Sequence, residues 1–321
     1  MGEFDLIERF FKRPPTRANV GIGDDCAIWS PRPGHQLAVS ADMLVEGRHF
    51  LSTVEPRRLG HKALAVNLSD LAACGAQPQA FLLSLSLPRA DEAWLQGFSE
   101  GLFKLADEHA CELIGGDTTQ GPLNIAITVL GDVPVGQSIL RSGAQVGDDV
   151  YVTGHVGDAR LALEAFRGHV SLPQAVFEQA RLRMETPTPR VALGQALRGI
   201  AHGMADISDG LLGDLKHILK ASHVGADIEL SATRTLMAAS CAWPCPESLA
   251  MTCVLSGGDD YELVFTASPA AAAQVQSVAQ ATHTRITRIG CITASPGIVL
   301  RDDRGQAVDH HFPSFDHFAS P

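Results

Sequence analysis

Four segments far apart in this chain each set aspartate beside glycine or serine: Gly21-Ile-Gly-Asp-Asp25, Asn67-Leu-Ser-Asp-Leu71, Ile114-Gly-Gly-Asp-Thr-Thr119 and Asp206-Ile-Ser-Asp-Gly-Leu211. A fifth carboxylate, Asp42, ends the apolar run that begins at Leu37. Two carboxylates about 4 Å apart repel by roughly 4 kcal/mol at an effective dielectric near 20. A fold that gathers these segments therefore needs divalent cations among them. Hard cations held by oxygen, with coordination positions to spare, are the usual way to bind a nucleoside triphosphate. The pattern points to metal-dependent phosphate chemistry. No G-x-x-x-x-G-K-[ST] loop is present to supply a lysine-based alternative, and G-x-S-x-G and H-E-x-x-H are also missing.

Each segment has a plainer reading. The Gly-Ile-Gly-Asp-Asp25 and Gly-Gly-Asp117 segments also read as solvated turns, since glycine opens positive φ and acids face water readily. Ser208 or Asp209 reads as the N-cap of a helix carrying Leu211, Leu215, Ile218 and Leu219, and that helix start also suits a phosphate. Ser256-Gly-Gly-Asp-Asp-Tyr-Glu-Leu263 again puts acids at a strand entrance, where they suit an amine-bearing or cationic ligand as well as a metal.

Length narrows the class. At 321 residues two domains are expected, with the turn-rich passage Arg141–Asp149 as the boundary, giving 1–146 and 147–321. Strand-like and helix-like segments alternate: strands at 26–29, 37–40, 81–87, 123–130, 150–153, 225–230, 261–267 and 285–292, and helices near 57–75, 92–108, 158–165, 173–185, 189–202 and 269–281. The expected class is α/β (α+β), two domains, each a mixed β-sheet with helices on one face. A net charge of −11 without a basic stripe argues against nucleic acid and anionic membranes. The start mixes charge into its apolar residues, unlike a signal peptide, and the seven scattered cysteines suggest reduced thiols in the cytoplasm.

Taken in order, the segments resemble the thiamine-monophosphate kinase family, within the ATP-binding superfamily that includes aminoimidazole ribonucleotide synthetase. The discriminating stretch is Asp42-Met-Leu-Val-Glu-Gly-Arg-His-Phe50 followed by Lys62-Ala-Leu-Ala-Val-Asn-Leu-Ser-Asp-Leu-Ala-Ala73, and the likeness runs nearly end to end. The resemblance implies ATP-dependent phosphorylation of thiamine monophosphate to thiamine diphosphate with several Mg²⁺ ions. It implies metal positions at Asp25, Ser40, Ala41, Asp42, Asp70, Asp117, Asp206 and Asp209, of which Asp42, Asp117 and Asp209 are the catalytic ones. ATP contacts are implied at Gly116, Asp117, Arg141 and Ser208, and substrate contacts at His49, Asp259 and Phe315. The chain departs from the family at Ala41, where Thr is usual, and at Asp259, where Glu is usual. A homodimer is implied, with N-terminal sheets meeting across a two-fold axis near ATP. Rival readings are another ATP-using enzyme of the superfamily and a non-catalytic sensor of nucleotide or thiamine phosphate.

Overall fold

The structure, a computed structural model, describes residues 2–308 and residue 312. The chain divides into two units, one of residues 1–71 and 76–136, the other of 72–75 and 137–321. No helix among the described residues is long and apolar enough to cross a membrane.

In the first unit, a short helix α1 (Glu3–Leu6) precedes the strand β1 (His35–Val45). Side chains alternate along β1, so Ala38, Ser40, Asp42 and Leu44 lie toward the covered side and Leu37, Val39, Ala41 and Met43 toward the open one. The expected stripe of Leu64, Leu68 and Leu71 forms the buried side of α2 (Pro56–Ala73). Then come β2 (Gln77–Leu87), α3 (Glu92–Glu108), β3 (Glu112–Gln120) and β4 (Asn124–Pro134). Asp91 starts α3 by accepting the Trp94 N–H at 3.1 Å. The sheet order is β1-β4-β2-β3, with β2 and β3 parallel and the other pairs antiparallel. A parallel pair needs a crossover, and α3 supplies it. Two glycines let α2 and α3 come together: a Cβ on Gly60 would lie 2.0 Å from the Phe98 carbonyl oxygen, and one on Gly101 1.8 Å from that of Arg57. The strand expected at 26–29 is reduced to a single bridge between Val20 and Ile28.

The second unit runs β5 (Asp149–Thr153), α4 (Asp158–Phe166), α5 (Gln174–Glu185), α6 (Val191–Ala196), β6 (Gly203–Asp206), α7 (Leu211–Ser222), β7 (Gly225–Glu229), α8 (Leu230–Thr233), α9 (Glu247–Ser256), β8 (Leu263–Ala267), α10 (Ala272–Ala281), β9 (Ile286–Thr293), β10 (Gly297–Arg301) and β11 (Ala307–Val308). Its mixed sheet has the order β11-β10-β7-β9-β5-β8-β6. Val150, Val152, Val264 and Ile289 from the strands meet Leu211, Leu215, Ile218 and Val254 from the helices in one core. The helix expected over 189–202 is confined to α6, and Gly199 at φ +72° lies in left-handed backbone a few residues beyond it.

One buried acid ties this unit together. Glu262 accepts hydrogen bonds from Thr153 Oγ1 at 2.7 Å, Arg183 at 2.8 Å and both arms of Arg190 at 2.6 Å. Burial alone would raise its pKa. The Arg190 hydrogen bonds and charge, joined by Arg183, outweigh burial and hold the carboxyl below its ordinary value. Removing one partner of such a group leaves charge without an answer. Glu262→Ala is expected to destabilise the protein by about 3–5 kcal/mol, measured as a shift in urea unfolding. A loss below about 1 kcal/mol would contradict the assignment.

Candidate functional site

The first unit presents two groups of candidate residues at opposite edges of its sheet. At the β1 edge, Ser40 Oγ donates to Asp70 Oδ2, joining the strand to α2. The Asp42 N–H donates to Asn67 Oδ1 at 3.1 Å, and Asn67 Nδ2 donates to the Ala63 carbonyl at 3.0 Å. Asn67 and Asp70, three apart on one helix, thus both reach the strand that carries Ser40 and Asp42. Ala41 points to the other side of β1, and its methyl offers no donor, so only its backbone carbonyl is available as a ligand.

His49 lies in the turn after β1. Its Nδ1 accepts the Val45 N–H at 3.0 Å, and its carbonyl accepts from the buried Lys62 Nζ at 3.2 Å. With Nδ1 accepting, the neutral ring carries its proton on Nε2.

Gly116 and Asp117 lie on β3. Gly116 has φ +147°, and a Cβ there would sit 1.8 Å from the Leu83 carbonyl oxygen, so only glycine fits. Register places Asp42 opposite Ile127, Ile127 opposite Leu83, and Leu83 opposite Gly116. Three strand spacings, about 14 Å, therefore separate the Asp42 backbone from that of Gly116. Asp25 lies in an exposed turn, its N–H bonded to Asp24 Oδ1 at 2.8 Å.

The second unit gathers Arg141, Asp206, Ser208, Asp209 and Asp259. Asp206 is the buried last residue of β6. The N-cap of α7 is Gly210 at φ +111°, so neither Ser208 nor Asp209 caps the helix as the sequence suggests. Instead Asp214, in the first turn of α7, reaches back, and its Oδ2 accepts the N–H groups of Ser208 and Asp209, each at 3.1 Å. Burial first, and the charge of Asp209 second, push the Asp214 carboxyl up to about 7, against the pull of those N–H groups and of Arg141. Arg141 is set beside β6 because the preceding residue, Leu140, accepts the Met204 N–H at 2.9 Å. Asp259 comes from the 256–262 segment, where its N–H donates to the Ser208 carbonyl at 2.7 Å.

Sequence reasoning missed Asp214, and the available signal was a third acid in Asp206-Ile-Ser-Asp-Gly-Leu-Leu-Gly-Asp214. Phe315 lies outside the described residues.

The donors in these groups are oxygens, which suits a hard cation such as Mg²⁺. Among the described residues no three His, Cys, Asp or Glu side chains close around a single ion. That still fits Mg²⁺, which commonly takes one or two carboxylates and fills its shell with water and substrate phosphate. The crowding of Asp209 against a buried Asp214 is the kind of repulsion that a cation relieves.

Two family models match the chain, the N-terminal domain of AIR synthase related proteins over residues 23–133 and the C-terminal domain over 145–303. The thiamine-monophosphate kinase of Escherichia coli (strain K12) is 42% identical over 325 residues, covering 100% of this chain and 99% of that one. The crystal structure of thiamine-monophosphate kinase from Stenotrophomonas maltophilia K279a superposes with a TM-score of 0.84 at 42% identity, over 95% of this chain and 96% of that chain. A structure described as AaThiL complexed with AMPPCP and TMP matches with a TM-score of 0.75 at 27% identity, over 90% of this chain and 89% of that chain. With a likeness of this strength over 100% of this chain, the chain belongs to the thiamine-monophosphate kinase family.

Proposed function

We propose that this protein transfers the γ-phosphoryl group of ATP directly to thiamine monophosphate, giving thiamine diphosphate. The observation that carries this reading is the 42% identity to a thiamine-monophosphate kinase across the whole chain. A rival enzyme of the wider superfamily, or a sensor that only binds, would not require that likeness together with the full set of acids.

The chemistry asks little of the protein in proton transfer. A phosphate monoester has a second pKa near 6, so the attacking oxygen is already anionic near neutrality. The obstacle is bringing two anions together. Asp25, Ser40, the Ala41 carbonyl, Asp42, Asp70, Asp117, Asp206 and Asp209 are the groups that would hold Mg²⁺, which when bound neutralises phosphate charge and aligns the attacking and leaving oxygens. Gly116 would contact ATP through its backbone, Arg141 clamps ATP phosphate, and the Ser208 hydroxyl adds a hydrogen bond. His49 and Asp259 would contact the substrate, Asp259 answering the amine-bearing or cationic portion of thiamine. Phe315 supplies an aromatic face to its rings. Residues 1–146 would then carry most metal and dimer contacts, and 147–321 would carry Asp206, Ser208, Asp209, Asp259 and Phe315. ATP as donor implies a cytoplasmic setting.

The same sheet supports dimerisation. β1 is an 11-residue edge strand whose outer side exposes Leu37 at 53%, Val39 at 58% and Met43 at 55%. Long apolar edges are normally covered. A second copy covers this one, and it also removes a difficulty of reach. Asp42 and Asp117 stand at opposite edges of one sheet, so one copy's Asp42 can work with the other copy's Asp117.

Asp42→Asn and Asp117→Asn should each lower kcat/KM by about a hundredfold or more, roughly 2.7 kcal/mol of transition-state stabilisation. Near-normal turnover at saturating Mg²⁺ would remove these residues from the mechanism. Mixing the two inactive variants under exchange conditions should restore about a quarter of wild-type activity, because half of the dimers are mixed and each mixed dimer has one intact site. A mixture as inactive as its components would place each site within a single copy.

Light scattering should give a particle of about 68 kDa, twice the 34.1 kDa chain, and Val39→Lys should shift it to monomer with loss of activity. A monomeric wild type would overturn the dimer.

A further inference from the structure

The segment that carries Asp259 is held in an uncommon conformation. Gly258, Asp259 and Tyr261 have φ values of +69°, +64° and +52°, left-handed backbone that residues other than glycine seldom adopt. Such a conformation persists only where the surroundings over-determine it. Three backbone bonds contribute: the Asp259 N–H donates to the Ser208 carbonyl at 2.7 Å, the Tyr261 N–H to the Ile207 carbonyl at 2.9 Å, and the Ile207 N–H to the Glu262 carbonyl at 2.8 Å.

Between the left-handed Asp259 and Tyr261 stands Asp260, which is buried. Its Oδ1 accepts the N–H of Gly157, the N-cap residue of α4, at 2.9 Å. Its Oδ2 is buried and has no hydrogen-bond partner among the described residues. Burial, more than any neighbouring charge, pushes this carboxyl well above its ordinary value. A buried acid with one unsatisfied oxygen is costly to keep, and the proposed chemistry gives it no part in phosphoryl transfer. What it does accomplish is geometric. It links the turn bearing Asp259 to the start of α4, and α4 is itself fixed because Asp158 accepts the Ala238 and Ala239 N–H groups at 3.0 and 2.8 Å.

We propose that Asp260 is a positioning residue for substrate specificity: its buried carboxyl, fastened to the N-terminus of α4, sets the left-handed turn that presents Asp259 to the amine-bearing or cationic portion of the phosphate acceptor. This rests on thiamine monophosphate being that acceptor. Asp260 itself touches no substrate. The contact it controls is made by one substrate, not by ATP, and that distinguishes it from a residue needed only for folding.

The test measures KM for each substrate, and kcat, in the full-length enzyme, together with the Kd of thiamine monophosphate by calorimetry, which needs no turnover. Asp260→Ala removes the link to Gly157. It should raise KM and Kd for thiamine monophosphate by about tenfold or more while KM for ATP and kcat stay within about threefold. Asp260→Asn keeps an acceptor for the Gly157 N–H and should return thiamine monophosphate binding to within about threefold of wild type. If Asp260→Ala does not fold, Tyr261→Gly loosens the same turn from its other side and should produce the same one-sided rise. Equal weakening toward both substrates, a loss confined to kcat, or unchanged binding of thiamine monophosphate in the folded variant would overturn the positioning role. A wild-type protein that neither binds nor turns over thiamine monophosphate would instead remove the acceptor reading, and this inference with it.

Discussion

A buried carboxylate needs an answer to its charge, and the second unit gives three different ones within a small region. Glu262 is answered by cations: Arg183 and Arg190 hold it ionised despite burial. Asp214 is answered only partly, by two backbone N–H groups and the field of Arg141, while Asp209 works against it. Asp260 has a single N–H and one unsatisfied oxygen. Glu262 ties β8 to β5 and to the two arginines, so the backbone on either side of it is fixed. Ile207 N–H bonds to the Glu262 carbonyl, and Tyr261 N–H bonds to the Ile207 carbonyl. The loops that carry Ser208, Asp209 and Asp259 therefore hang from one rigid ionic anchor.

That arrangement matters for a site built from acids. Loops that bear like charges move apart unless the scaffold prevents it. In the second unit the scaffold is the hydrogen-bonded seam between residues 206–209 and 258–262, backed by the Glu262 cluster. In the first unit it is the register of β1 against β4 and the reach of Asn67 and Asp70 from α2. These contacts hold the oxygen-bearing side chains of each unit in place.

Periodic segments were legible in the sequence. The Leu64, Leu68 and Leu71 stripe became α2, and the strand over 81–87 became the greater part of β2. α9 was not legible, because Met251, Cys253, Val254 and Leu255 are all buried and an element covered on several sides loses its 3.6-residue signature. Of the site, residue types and their order along the chain were visible, while their grouping was not. Strand neighbours are set by pairing between distant segments, so nothing local in Asp42 or Asp117 tells that β1 and β3 take opposite edges. The roles of Asp214 and Asp260 were hidden for a similar reason. Each acts through backbone N–H groups, of Ser208 and Asp209 or of Gly157, that have no sequence signature of their own.

The departure that the resemblance implies at Asp259, aspartate where glutamate is usual, acquires a physical meaning from the backbone. At φ +64° a side chain crowds its own carbonyl, and aspartate, short and able to hydrogen-bond locally, tolerates that region better than most residues. Glutamate gains reach there but has less to offset the strain. A chain that carries aspartate at this position exchanges side-chain length for an easier backbone. The turn must then be placed more accurately, since a shorter carboxylate cannot compensate for a misplaced Cα. A buried pin directly after Asp259 meets that requirement.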